Sequence, residues 1–179
     1  MKKMIPLFAI TAISTAAMAA DRDAFYGSLG GGVYNLETEG FDETAATMKI
    51  IGGYNFSENV AVEASYSRLF ESSAVVDDVN VEIDGNVWDL STKLSLPMGN
   101  RLTPYGRLGW SYVDLSALAT ADSESMRFNN YDNAFTWAVG TGISFSSRLG
   151  LNAEVARTMI DDGDLDFLSV HLDYRFGAQ

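Results

Sequence analysis

The sequence predicts an all-β chain that folds as an eight-stranded antiparallel up-and-down transmembrane barrel. Eight segments alternate apolar and polar residues with a period of two, as strands with two different faces do. The connections between these segments alternate regularly between long and short. Within the segments, charged residues share one face while the other face is almost free of charge. This combination is typical of a barrel with lipid outside and a packed polar lumen inside.

The closing segment, residues 168–176, shows the alternation most clearly. One face carries Leu168, Val170, Leu172, Tyr174 and Phe176. The other face carries Ser169, His171, Asp173 and Arg175. An apolar face that ends on two aromatic residues is typical of a membrane strand that reaches the lipid–water interface.

Seven earlier segments repeat the pattern. They are residues 25–34, 47–56, 60–67, 87–96, 103–113, 134–145 and 149–156. Each is close to the length of roughly 9–11 residues that a tilted membrane strand needs. A soluble eight-stranded barrel is the alternative, but its apolar face would point inward.

The connections predict the topology. Residues 57–59, 97–101 and 146–148 form short turns, whereas 35–46, 70–86, 114–133 and 157–165 form long connections. Periplasmic turns and long exposed loops are typical of an outer-membrane barrel, with both termini in the periplasm. The second long connection is rich in valine, so we expect it to extend strands three and four above the membrane, with a bulge at Gly85.

The N-terminus resembles an export signal. Lys2 and Lys3 precede an apolar stretch and an Ala17-Met18-Ala19 cleavage site, which predicts a cleaved signal peptide over residues 1–19 and a barrel domain over 20–179. Removing the two lysines leaves 10 basic against 24 acidic residues, a net charge of −14. Such a surface repels nucleic acid. The chain has no cysteine.

Charged residues on the inward faces predict a network in the lumen. They comprise Lys49, Glu63, Asp89, Lys93, Arg107, Glu154, Asp173 and Arg175. Charges removed from water need partners, and four of each sign allow every one to be paired. Arg68 and Arg157 face outward at the loop end, where we expect them to contact lipopolysaccharide head groups. Acids of the long loops would share divalent cations with the same phosphates.

The hairpin IGGYNFSENVAVEASYS, the strand TPYGRLGWSY and the closing LDYRF resemble the small outer-membrane β-barrel superfamily, which includes the OmpA transmembrane domain and the OmpX/Ail proteins. The resemblance implies a location in the cell outer membrane. It also implies outer-membrane lipid and lipopolysaccharide, the barrel assembly machinery, periplasmic chaperones and an extracellular protein as partners. A structural and surface-interaction role with acidic loops and a closed lumen follows, without enzymatic activity, catalytic residues, metal or cofactor.

Two patterns favour other roles. Ser169, His171 and Asp173 share a face, as a hydrolase site would, but they point into a packed lumen rather than toward lipid. The acidic run 161–166 is spaced like a calcium loop but lacks the glutamate of an EF-hand. A narrow gated channel is the main alternative, and a lipid-modifying enzyme the second.

Overall fold

Eight antiparallel strands close into one barrel, which confirms the predicted fold class. The computed structural model describes residues 24–38, 41–76, 79–99, 101–121, 124–160 and 163–176, so the predicted signal peptide lies outside the described residues. The strands are β1 (Ala24–Thr38), β2 (Phe41–Asn55), β3 (Val60–Val76), β4 (Val79–Ser95), β5 (Leu102–Ala121), β6 (Glu124–Ser144), β7 (Leu149–Ile160) and β8 (Gly163–Arg175). Each strand pairs with its sequence neighbours, and β8 pairs with β1. In the described ranges no helix is long and apolar enough to span a membrane.

Side chains alternate between the lumen and the outer surface as the sequence predicts. On β7, Asn152, Glu154 and Ala156 are buried, while the outward-facing Val155 is 48% exposed. The outward residues of the predicted membrane-spanning segments are apolar apart from Thr92 and Thr141, and many are aromatic. An outer membrane covers such a surface with acyl chains.

The strands are longer than predicted, and the four long loops are largely absent. β3 ends at Val76 and β4 begins at Val79, so the predicted extension of this hairpin is confirmed. The β5–β6 hairpin extends in the same way, since β5 reaches Ala121 and β6 begins at Glu124. Backbone pairing continues past the membrane because inward side chains beyond this level pack into a core of their own.

Beyond the membrane the barrel wall divides into two four-stranded sheets. Pairing of β2 with β3 stops at Thr47 and Leu69, and pairing of β6 with β7 stops at Phe135 and Met159. Past these seams one sheet contains β7–β8–β1–β2 and the other β3–β4–β5–β6. We call this region the outer end, and the opposite end, with the three short turns, the turn end.

An apolar core fills the space between the two sheets at the outer end. Its buried members are Tyr34, Leu36, Leu69, Val87, Val113, Ala134 and Leu165. The apolar side of the wall therefore changes at the membrane boundary. On β4, for example, Trp88 faces outward at 58% exposure, whereas its neighbour Val87 faces the core at 4%. The sequence interpretation of a polar lumen holds for the membrane-spanning part and is wrong for the outer end.

The β3–β4 hairpin contains one β-bulge. Leu69 pairs with Gly85 and Ser72 with Ile83, so two residues of β3 oppose one residue of β4. The predicted position of the bulge at Gly85 is off by one residue and by one strand, because the bulge lies in β3 at Phe70 and Glu71, which together oppose Asp84. Gly85 has a different role: a Cβ there would lie 2.5 Å from the carbonyl oxygen of Asp114 on β5, so only glycine fits.

Candidate functional site

The centre of the lumen contains a branched ion-pair network around Arg107. Its Nη1 lies 2.8 Å from Asp89 Oδ1, its Nη2 2.9 Å from Glu154 Oε1, and its Nε 3.7 Å from Glu63 Oε2. These acids belong to β4, β7 and β3, while Arg107 belongs to β5. All four side chains are at most 4% exposed. The guanidinium satisfies three buried carboxylates whose charges would otherwise be costly in a medium of low dielectric constant.

Two lysines complete the network. Lys49 Nζ lies 3.2 Å from Glu154 Oε1, and Lys93 Nζ lies 3.1 Å from Glu63 Oε1. Lys93 Nζ also lies 4.2 Å from the centre of the Tyr105 ring, a cation–π contact. Six of the eight residues assigned to the network from the sequence are therefore brought together, three cations with three anions.

The remaining two residues are not joined to the network by an ion pair in the described part of the chain. Asp173 accepts a hydrogen bond from Asn152 Nδ2 at 2.5 Å. Arg175 donates to Ser144 Oγ at 3.5 Å, close to the turn end. Asp173 Oδ1 is buried without a hydrogen bond among the described atoms, as is Arg107 Nε, which has only the 3.7 Å contact with Glu63.

Two tyrosines belong to the network and were not identified from the sequence. Tyr26 donates a hydrogen bond to Glu63, and Tyr105 donates to Glu154 Oε2 at 3.2 Å. Each ring lies over a glycine that is its direct partner on the next strand, Gly53 for Tyr26 and Gly140 for Tyr105. The missed signal is a lumen-facing tyrosine opposite a lumen-facing glycine, because the glycine leaves room for the ring to bend toward the acids.

The lumen changes character along its length. At the turn end a vestibule of about 440 Å³ is lined by Tyr26, Lys93, Tyr105 and Asp173. The network follows. Beyond it a cavity of only about 20 Å³, room for roughly one water molecule, lies between Arg107 and the core residue Val87. Hydroxyl groups line this cavity, including those of Ser111 and Thr136, which are hydrogen bonded at 2.5 Å.

His171 is buried beside the network at 1% exposure. It fits against Gly30, where a Cβ would lie 2.4 Å from His171 Cδ2. Its Nε2 has no hydrogen-bond partner among the described residues, and Ser169 is also buried. A hydrolase needs a serine that a substrate can reach, and neither side chain is accessible from the lipid.

Arg68 and Arg157 both lie at the membrane boundary, where each is already paired. Arg68 Nη2 lies 2.5 Å from Asp84 Oδ2. Arg157 donates through Nε and Nη2 to both carboxylate oxygens of Asp166, at 2.6 and 2.5 Å, and through Nη1 to Asp164 at 3.1 Å. Both arginine side chains are about one-third exposed.

The acidic run 161–166 is divided by its position. Residues 161–162 lie outside the described residues, and Asp164 and Asp166 are bonded to Arg157. Among the residues that are described, no group of three or more histidine, cysteine, aspartate or glutamate side chains is arranged to hold a metal ion.

Comparisons with solved structures give the same fold. Neisserial surface protein A is similar with a TM-score of 0.66 and 13% identity, over 85% of this chain and 97% of that chain. The attachment invasion locus protein Ail of Yersinia pestis, in complex with the heparin analogue sucrose octasulfate, gives 0.65 and 14%, over 87% and 100%. OprG of Pseudomonas aeruginosa gives 0.61 and 12%, over 86% and 97%.

A family model places the chain more firmly. No curated protein matches the sequence significantly. The model described as outer membrane protein beta-barrel domain matches residues 5–176. Together with the closed eight-stranded barrel and its apolar outer surface, this match establishes an outer-membrane location among lipid and lipopolysaccharide. The chain belongs to the outer-membrane β-barrel family.

Proposed function

We propose that this protein is a structural and surface-interaction barrel that does not conduct ions and has no enzymatic activity. The observation that carries the proposal is the sheet β3–β4–β5–β6, which extends farther past the point where the barrel wall divides than the sheet β7–β8–β1–β2 does. Export through a cleaved signal peptide at residues 1–19, and folding with periplasmic chaperones and the barrel assembly machinery, belong to the same proposal.

The projecting sheet has long free edges. In the described part of the chain no strand pairs with residues 124–134 of β6 on the side away from β5, or with residues 70–76 of β3 on the side away from β4. An exposed edge can accept an extended segment of another protein through main-chain hydrogen bonds. A stable edge of this length without a partner invites aggregation, which favours a binding role.

The charge of the outer end favours a basic partner. Its acids include Glu71, Glu82, Asp84, Asp114, Asp132, Asp164 and Asp166. The structure of Ail was solved with a polyanion, sucrose octasulfate. An acidic surface repels polyanions, so we propose that the partner here is an extended segment rich in lysine or arginine.

A synthetic peptide of alternating lysine and valine tests this edge. We expect saturable binding to the refolded protein in detergent micelles and none for a peptide with proline in place of valine. Successive strand residues direct their N–H groups to opposite edges. One of Asn129→Pro and Asn130→Pro should therefore abolish binding while the barrel remains folded. Equal binding by the proline-containing peptide would contradict the proposal.

The contents of the lumen support a barrel without a pore. An eight-stranded interior is just filled by side chains, and here both the ion-pair network and the apolar core lie across the path. We expect no steady openings in planar-bilayer recordings of the refolded protein. Reproducible conductance would favour the gated channel, and altered lipid A in mass spectra of cells that express the protein would favour the enzyme.

Surface labelling tests the orientation. Because the chain has no cysteine, single cysteines report without background. We expect Asn133→Cys, on the exposed outer part of β6, to react with a membrane-impermeant maleimide on intact cells. The matched Glu58→Cys, in an exposed turn at the opposite end, should react only after the outer membrane is permeabilised. The reverse pattern would place the projecting sheet in the periplasm.

We further propose that Arg68 and Arg157 contact lipopolysaccharide head groups. Their position at the membrane boundary and their partial exposure support this. Since each is paired with aspartate, divalent cations shared between these acids and lipid phosphates would assist the contact. Thermal stability in lipopolysaccharide bilayers should fall when a chelator is added, and an unchanged midpoint would count against the cations.

A further inference from the structure

A groove of about 540 Å³ crosses the outer surface of the barrel at the membrane boundary. Two rows of directly paired residues line it. The lower row, toward the membrane centre, runs Val155–Leu168–Val33 across β7, β8 and β1. The upper row contains Trp137, Arg157, Asp166, Asn35 and Thr44. The groove therefore has an apolar half at the level of the acyl chains and a polar half at the level of the head groups.

The lower row continues the lipid-facing surface of the barrel. Val33, Val155 and Leu168 are 42%, 48% and 56% exposed, and all three face outward. On each of these strands, the next outward residue toward the outer end is polar. An occupant must therefore be amphiphilic, with a chain below and a polar group above, which is the form of a membrane lipid.

The upper row is chemically suited to hydroxyl groups. Arg157 supplies donors, Asp166 supplies acceptor oxygens, and Asn35 and Thr44, joined by a 3.3 Å hydrogen bond, supply both. Trp137, the direct register partner of Arg157, adds an aromatic ring with an apolar face. Sugar hydroxyls both donate and accept hydrogen bonds, and sugar rings present an apolar face that an indole can cover.

The charge of the row disfavours a bare phosphate. Arg157 is held by both oxygens of Asp166 and by Asp164, so the three side chains together are negative. A phosphate placed there would meet two carboxylates with one guanidinium between them. A neutral sugar ring meets no such repulsion.

We propose that this groove is a binding site for one outer-leaflet glycolipid, with a sugar ring of its head group on the upper row and an acyl chain on the lower row. The inference rests on the head-group contact proposed for Arg157 and specifies its chemistry. It assigns recognition to sugar hydroxyls rather than to phosphate. It also makes the two arginines unequal, since Arg68 lies outside this groove.

Fluorescence of Trp137 tests the site. The chain has three tryptophans, so Trp88→Phe with Trp110→Phe leaves Trp137 as the only reporter. The matched control is the protein with Trp110→Phe and Trp137→Phe, which retains only Trp88. This residue faces outward on β4, the strand next to the one that carries Arg68. Both proteins would be refolded in vesicles of phosphatidylcholine with brominated chains, which quench tryptophans in contact with lipid. A minor fraction of lipid A, of a neutral monogalactosyl diacylglycerol or of phosphatidylglycerol would then be added.

We expect both sugar lipids to relieve quenching of Trp137 by more than their dilution of brominated lipid explains. Phosphatidylglycerol should act by dilution alone, and Trp88 should follow dilution with every lipid. Arg157→Met or Thr44→Val should remove the excess relief, whereas Arg68→Met should leave it intact. Heat-modifiable migration on gels verifies folding of each variant, and Thr44→Val retains the test if Arg157→Met does not fold.

Three results would overturn the proposal: simple dilution with every lipid, equal relief by phosphatidylglycerol, or relief by lipid A without relief by the galactolipid. The last two would assign the groove to anionic groups. None of these results depends on the orientation of the barrel or on its free edges, so failure here leaves the peptide and labelling tests of the proposed function unaffected.

Discussion

Arg107 Nη2 and Glu154 Oε1 lie 2.9 Å apart although β5 and β7, which carry them, are not neighbouring strands. The same carboxylate oxygen receives Lys49 from β2 at 3.2 Å. The network therefore connects parts of the wall that share no backbone hydrogen bonds. These ion pairs therefore link non-neighbouring strands through the interior of the barrel.

Replacing Arg107 tests how much this connection contributes. Arg107→Met leaves three buried carboxylates with only the two lysines, so we expect a loss of about 3–5 kcal/mol in the free energy of unfolding. Urea titration in detergent micelles, followed by tryptophan emission, measures it. Arg101→Met, at an exposed turn, is the matched control and should change stability little. Equal stability of the two variants would show that the network is dispensable.

Two adjacent glycines separate the requirements of the two faces. A Cβ at Gly53 would lie 2.2 Å from the Tyr26 ring, whereas at Gly52 nothing lies within 4 Å. Gly53→Ala should displace the ring from Glu63 and cost about 1–3 kcal/mol as an overpacked site does. Gly52→Ala should be tolerated. The same unfolding titration compares them, and a larger loss at Gly52 would refute the assignment of faces.

The apolar core at the outer end is tested by a neighbouring pair. Leu69 is fully buried while Phe70 is 46% exposed. Leu69→Ala should destabilise the protein by about 2–5 kcal/mol, because it leaves a cavity between the two sheets. Phe70→Ala removes more atoms but no core contact and should cost less. Hydrogen exchange should show faster opening of the outer part of β3 and β4 in Leu69→Ala, and comparable losses in both variants would argue against a packed core.

Spin labels test the lipid-facing surface directly. Leu172 and Leu94 are 51% and 46% exposed and face outward within the membrane-spanning segments. Nitroxides at Leu172→Cys and Leu94→Cys should collide readily with oxygen and poorly with a water-soluble nickel complex. Ser147→Cys, in an exposed turn, should show the opposite preference. Labels at the two leucines that reacted like the one at Ser147 would exclude a lipid environment.

Much of the fold follows from the alternation of side chains, because a period of two in each of eight segments determines both strand and face. The outward placement of Leu172 and Leu94 and the inward placement of Arg107 could be read in this way. The lengths of the strands could not be predicted from this alternation. The apolar residues of the outer end face the lumen instead of lipid. If each strand is predicted to end where its outward face becomes polar, Leu36 is assigned to a loop and Val113 to the end of a strand.

The details of the site needed the register between strands. A charge balance predicts that Arg107 finds acidic partners, but only cross-strand alignment shows Tyr105 opposite Gly140 and so within reach of Glu154. The pairing of Arg157 with Asp166 likewise depends on β7 and β8 meeting at that level. Asp173 and Arg175 are also inward-facing charged residues, but they lie nearer the turn end than the network does. The position of a residue along the barrel axis cannot be read from the balance of charges.

Near Val87 and Trp88 the apolar side chains of the wall change from facing outward to facing inward. This change also determines how deeply the protein lies in the membrane. A shift along the barrel axis toward the turn end would bring Asn35, Asp84 and Asp166 into hydrocarbon. A shift in the opposite direction would expose outward apolar residues next to the boundary, such as Trp88 and Leu168, to water. Either movement is opposed on several strands at once. The barrel thus has a defined depth in the bilayer, which holds its projecting sheet at a constant distance from the membrane surface.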